Sequence, residues 1–152
     1  MNGYNNQYQQ NQILFASPEH ILLMLYDGAI RFGKQARIAC KNENLALKLE
    51  KISKVFAIVT EFSNSLNHQI GGEIAADLDG LYQFMLRELG KARVDNTGKH
   101  LQTVIELLEG LRETWAQAIE INRAEQAMLA ENQQNDHAYE SKGKQASISA
   151  AG

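Results

Sequence analysis

The chain has 152 residues, 44% apolar and 22% charged, with a formal net charge of −3. That is enough for one domain with a core, and it excludes a disordered polyelectrolyte. The charge is weak and reads as evenly spread, which argues against phosphate-driven nucleic-acid binding.

Cys40 is the one cysteine, so no internal disulfide framework is available, in keeping with a reducing compartment. The single proline, Pro18, favours long uninterrupted helices over a loop-rich β architecture. The longest strictly apolar run, Ile21 to Tyr26, is far short of the roughly 20 residues a membrane span needs, so no membrane insertion is expected. Residues 1–17 carry no charge and lack the basic start of a secretory signal. The expected location is the cytoplasm.

Three zones separate by composition. An uncharged, Asn- and Gln-rich segment (residues 1–16), containing Tyr8 and Ile13, reads as a flexible cap. Residues 17–122 hold nearly all the bulky apolar side chains, and 123–152 turn small and polar, reading as a helix extension and disordered or fraying tail.

In chain order, Ser17 caps a first helix with Pro18 at its first position and Glu19 in its first turn, running to about Lys41. Asn44 can cap a second, Leu45 to about Asn67. Gly71 and Gly72 interrupt the chain before a third, Glu73 to about Val94. Asp95-Asn96-Thr97-Gly98 precedes a fourth, Lys99 to about Asn122. Short connections between long helices predict an all-α fold, an antiparallel up-down four-helix bundle.

The apolar faces are wide. On the second helix Leu45, Leu49, Ile52, Phe56, Val59 and Leu66 form one stripe, extended sideways by Val55, Ile58 and Phe62. That arc is about 180°, against roughly 100° for an ordinary bundle helix. On the third, Ile74, Leu78, Leu81, Tyr82, Met85 and Leu89 are expected inward, with Phe84 to one side. On the fourth, Leu101, Val104, Ile105, Leu108, Leu111, Trp115 and Ile119 form the core stripe, flanked by Leu107, Ala118 and Ile121. The surplus suggests grooves for a partner's amphipathic segment rather than core alone. Gly33 projects near the core stripe and suits close helix packing.

Catalytic and metal patterns are missing. None of the four histidines has Glu three positions before it, and no His-x-x-x-His, Cys-x-x-Cys, phosphate loop or nucleophile elbow occurs. Neither an enzyme nor a cofactor is expected.

The string ASPEHILLMLYDGAIRF, Ala16 to Phe32, resembles the opening helix of the FliS-type flagellar export chaperones. GGEIAADLDGLYQFM, Gly71 to Met85, is similar to that family's third-helix motif. YQQNQI, Tyr8 to Ile13, resembles its N-terminal segment, and LLEGLRETWAQA, Leu107 to Ala118, its closing helix. The resemblance implies a cytoplasmic chaperone that holds the disordered C-terminal segment of flagellin, blocks premature polymerisation and delivers it to the flagellar export gate. The expected cargo-binding residues are Tyr8, Ile13, Ile58, Phe62, Phe84, Leu107 and Ile121, with Tyr8 and Ile13 standing in for cargo over an empty groove. A structural or adaptor bundle that self-associates through the same flanks is the competing reading, and monomer and homodimer both stay open.

Overall fold

The computed structural model describes residues 17–150 and contains α1 (Pro18–Lys41), α2 (Leu45–Asn64), α3 (His68–Ala92) and α4 (Lys99–Ala150). The expected cap, Tyr8 and Ile13 included, lies outside the described residues. Three helix starts are closed by a side-chain oxygen accepting a backbone N–H three residues on. Ser17 accepts from His20 at 3.3 Å, Asn44 from Leu47 at 3.2 Å, and Asn67 from Ile70 at 3.1 Å. The last of these explains two boundaries that differ from the expectation. Asn67 acts as a cap, so α2 ends at Asn64 and α3 starts at His68, five residues early. Its first turn is then kinked at Gly72, whose φ of 50° and ψ of −122° glycine alone adopts readily.

The described residues form two units, one ending at Glu113 and the other beginning at Thr114. In the first, α1, α2, α3 and the opening turns of α4 make the antiparallel up-down bundle. Its centre is aromatic. Phe62 of α2 stacks on Tyr26 of α1 with ring centroids 4.3 Å apart and lies 5.6 Å from Tyr82 of α3. The Tyr26 and Tyr82 hydroxyls share a buried 2.7 Å hydrogen bond, so these polar tips are satisfied inside the core. Ile52, Val55, Val59, Met85, Leu89, Leu101, Val104, Ile105 and Leu108 fill the space around them.

Helix α1 contributes small residues to this core: Ala29, Gly33, Ala36 and Ala39 are all buried. A β-carbon at position 33 would lie 3.0 Å from Cγ1 of Ile105, so the missing side chain is what lets α1 and α4 approach closely. The same pair is tied at the surface by Asp27 with Arg112 (3.0 Å) and Lys34 with Glu109 (3.2 Å).

In the second unit α4 runs on through Ala150, well past the stop expected near Asn122. Residues 120–148 are exposed throughout. Polar composition keeps this stretch from burying surface, but a helix closes its own backbone hydrogen bonds, and Ala, Glu, Gln, Met and Leu between 124 and 134 favour that state.

Truncating Phe62 removes the ring that α1 and α3 both touch. Phe62→Ala is expected to cost about 3–5 kcal/mol of stability, read as a lower urea midpoint with an unchanged slope.

Candidate functional site

Helix α3 has more apolar residues than one buried face can take. Tyr82, Met85 and Leu89 turn inward with Ala75 and Ala92. Ile74 and Leu81, expected to join them, remain at the surface, 72% and 36% exposed, and Phe84 beside them is 37% exposed. Leu81 lies about 100° from buried Tyr82 but about 40° from buried Met85, so it stands at the edge of the core face. Ile70, in the turn before the kink, is 86% exposed. The edge of the packed face of α3 therefore presents a row of large apolar side chains.

The stripe on α2 is displaced in the same way. The buried positions are Lys48, Ile52, Val55, Val59 and Phe62, whereas Leu45 and Leu49 are exposed. A face 180° wide has two candidate edges, and packing on α1 and α3 selects the one containing Val55 and Phe62.

The expected binding residues divide accordingly. Phe62 is 4% exposed and sits between two tyrosines, so it serves the core rather than the surface. Ile58 is half-buried on α2 facing Gly28 of α1, where a β-carbon would lie 4.0 Å from its Cδ1. Phe84 is exposed on α3 and Leu107 is half-buried on α4. Ile121 is exposed in the second unit. The structure thus places Ile58, Phe84 and Leu107 on three separate helices, and it adds Ile74 and Leu81 beside Phe84. Only the register of α3 on its neighbours reveals those two, because the apolar period includes them equally with the core.

The polar side chains are committed to holding loops and helix pairs. Asp79 accepts from the Ser63 hydroxyl at 2.5 Å, linking α3 to α2, and that bond chiefly holds its carboxyl below the usual aspartate range. Asp95 accepts from the Thr97 hydroxyl (2.7 Å) and the Gly98 N–H (3.1 Å), closing the turn before α4. Its carboxyl is lowered, with the Thr97 bond the largest cause. Buried Glu88 of α3 pairs with the His100 ring of α4 and accepts from Lys91 at 3.2 Å. Among the described residues no three His, Cys, Asp or Glu side chains are grouped to hold a metal ion. Cys40 faces the Asp95 and Asn96 carbonyls at 3.9 and 3.5 Å.

At the tip of the α1–α2 hairpin, beside the loop before α4, a cavity of about 830 Å³ is lined by Arg37, Ile38, Lys41, Leu45, Lys48 and Thr97 among others. Lys48 is 2% exposed, and its ammonium donates to the Asp95 carbonyl at 2.9 Å. The hairpin also shows that charge is not evenly spread along the chain, contrary to the expectation from composition. Residues 31–54 hold Arg31, Lys34, Arg37, Lys41, Lys48, Lys51 and Lys54 against Glu43 and Glu50, while the rest of the chain has eight cations against 16 carboxylates. Spacing of three or four residues between successive cations along α1, and of three along α2, was the visible signal.

Glu88 couples stability to acidity. The His100 bond holds its carboxyl below the ordinary glutamate range, burial opposing and Lys91 assisting. Its contribution is therefore complete above the unfolded value of about 4.3 and lost as pH falls through the lower folded value. Glu88→Gln should lower the urea midpoint at neutral pH and flatten its decline between about pH 5 and pH 3, compared with the parent chain.

Residues 1–122 match the family described as "Flagellar protein FliS". A flagellar secretion chaperone FliS of Campylobacter jejuni is 36% identical over 72% of this chain and 86% of its own length. That of Bacillus subtilis is 34% identical over 76% and 86%. A solved structure titled "Crystal structure of flagellar chaperone from bacteria" superposes with a TM-score of 0.64 at 22% identity, covering 76% of this chain and 94% of that one, which shows the shared fold.

Proposed function

The chain belongs to the FliS family of flagellar secretion chaperones, and from that premise we propose that its cargo is the C-terminal segment of flagellin, held on the apolar outer side of the bundle. The observation that carries this reading is the row Ile74, Leu81 and Phe84, three large apolar side chains left exposed along the edge of the packed face of α3. An amphipathic segment laid along them would cover that surface by helix-in-groove docking, with Ile58 and Leu107 meeting cargo on the neighbouring helices. Ile121, exposed in the second unit, is a separate apolar contact for cargo.

A disordered cargo segment loses several kcal/mol of conformational freedom on binding, which a long wrapped interface offsets. The same cost keeps affinity moderate and lets the export gate strip the cargo away. No covalent chemistry is required, and the chaperone acts in the cytoplasm before export. No helix among the described residues is long and apolar enough to cross a membrane.

Calorimetric titration with the last third of flagellin tests this. The expected result is a one-to-one complex. Ile74→Asp with Phe84→Asp should weaken it at least about tenfold, with a cooperative thermal transition as the control because Phe84 is only 37% exposed. A single substitution, Leu107→Asp, should weaken it less. Unaltered affinity in the paired variant would move the cargo off this surface. A bundle that ignores flagellin and only self-associates would favour the structural reading instead.

The N-terminal segment has a separate test. Removing residues 1–12 should change flagellin affinity and leave the unfolding midpoint of the bundle nearly constant, because Tyr8 then no longer competes with cargo. Equal affinities with and without the segment would end the cap proposal.

A further inference from the structure

The ammonium of Lys48 is buried without a counter-charge, and we propose that the 830 Å³ cavity it lines is a binding site for a small soluble phosphate monoester. Lys48 is 2% exposed, and of its three donors one meets the Asp95 carbonyl at 2.9 Å. Among the described residues no carboxylate lies within 4.0 Å of it. A charge withdrawn from water in this way is costly until an opposite charge meets it. The cavity is where that charge can enter.

The other walls carry the same sign. Arg37 and Lys41 of α1 line the cavity, and neither has a carboxylate within 4.0 Å among the described residues. Arg37 gives one guanidinium nitrogen to the Gln102 side-chain oxygen of α4. Its stem lies against Gly98, where a β-carbon would come within 3.8 Å of its Cγ. Glu43 is the one carboxylate of the lining. Three cations against one acid leave an excess of two positive charges, and a phosphate monoester carries about −1.5 to −2 at neutral pH. Its three terminal oxygens offer one acceptor to each cation. A carboxylate has less charge and one oxygen fewer.

The turns that frame the cavity are held by their own hydrogen bonds. In the hairpin turn the N–H groups of Glu43 and Asn44 donate to the Cys40 and Ala39 carbonyls at 3.2 and 2.9 Å. In the turn before α4, Asp95 closes on Thr97 and Gly98, both of which line the cavity. A site formed in advance loses little to ordering when a ligand arrives. Its volume is that of a small-molecule pocket, so the phosphate has room for an organic body beside it. Ile38 and Leu45, 56% and 58% exposed in the same lining, favour an apolar body. Ile74, Leu81 and Phe84 take no part in the lining, so the site is separate from the cargo row.

Calorimetric titration of the full-length chain with phenyl phosphate, at fixed ionic strength, tests the proposal. The expected result is saturable one-to-one binding, with a melting temperature that rises with ligand concentration. Inorganic phosphate should compete. Benzoate, which has the same ring and a single charge, should bind at least about tenfold more weakly. Lys48→Met and Arg37→Met keep most of the apolar stem, and each should weaken phenyl phosphate at least about tenfold. Lys34→Met and Lys54→Met, outside the cavity, should leave the affinity unchanged. Absence of saturable binding overturns the proposal, as do equal affinities for benzoate and phenyl phosphate. Equal losses from cations inside and outside the cavity would overturn it too. Capture of vesicles containing phosphatidic acid without binding of phenyl phosphate would give the site to a lipid surface instead. The comparison of the two ring compounds on the unaltered chain stands whether or not a variant folds.

Discussion

The stacking of Phe62 between Tyr26 and Tyr82 is the constraint on which the remaining geometry rests. Three helices each donate one ring, and the two hydroxyls meet, so the register of α1, α2 and α3 is fixed both by shape and by a directional bond. A purely aliphatic core would tolerate sliding by a fraction of a turn more readily. With this cluster seated, Val55 must point inward and Leu49 outward. The same register turns Leu81 toward solvent while Tyr82 stays inside. The outer apolar row on α3 is thus a by-product of where one phenylalanine lies.

Helix α1 makes a different kind of contribution. Its buried residues are nearly all alanine or glycine, so it packs by backbone proximity rather than by bulk. Gly33 comes directly against Ile105, and Tyr26 is the large exception. A bundle built this way reserves its large side chains for the other helices, and several of those are left outside. Hydrophobic residues that could have thickened the core stand on the surface instead, which trades folding stability for adhesiveness toward a partner.

Much of the architecture was legible beforehand, for local reasons. Ser17 with Pro18 and Asn44 announce helix starts because capping is a short-range hydrogen bond between near neighbours. Asn67 does the same work, but the glycine pair that follows so closely, Gly71 and Gly72, masks it with a stronger break signal. The far end of α4 is hidden in the sequence because its polar composition signals a lack of burial, whereas helix hydrogen bonds close within the chain itself. The surface was harder. Ile74 and Leu81 obey the core period, and Phe62 lies at the edge of a broad face, so sequence spacing alone cannot sort inside from outside. Their sorting depends on a pairing 56 residues long, between Tyr26 and Tyr82. The clustering of cations on the α1–α2 hairpin, by contrast, is plain in the spacing, although the net charge of the whole chain conceals it.

Gly72 bears on how a bound segment would be gripped. Its left-handed backbone separates the turn that holds Ile70 from the helix that holds Ile74, so two dihedral angles of one residue aim the first isoleucine relative to the second. No β-carbon is present to restrict them. The apolar row therefore turns a corner at Gly72, with Ile70 on one side of the bend and Ile74 on the other.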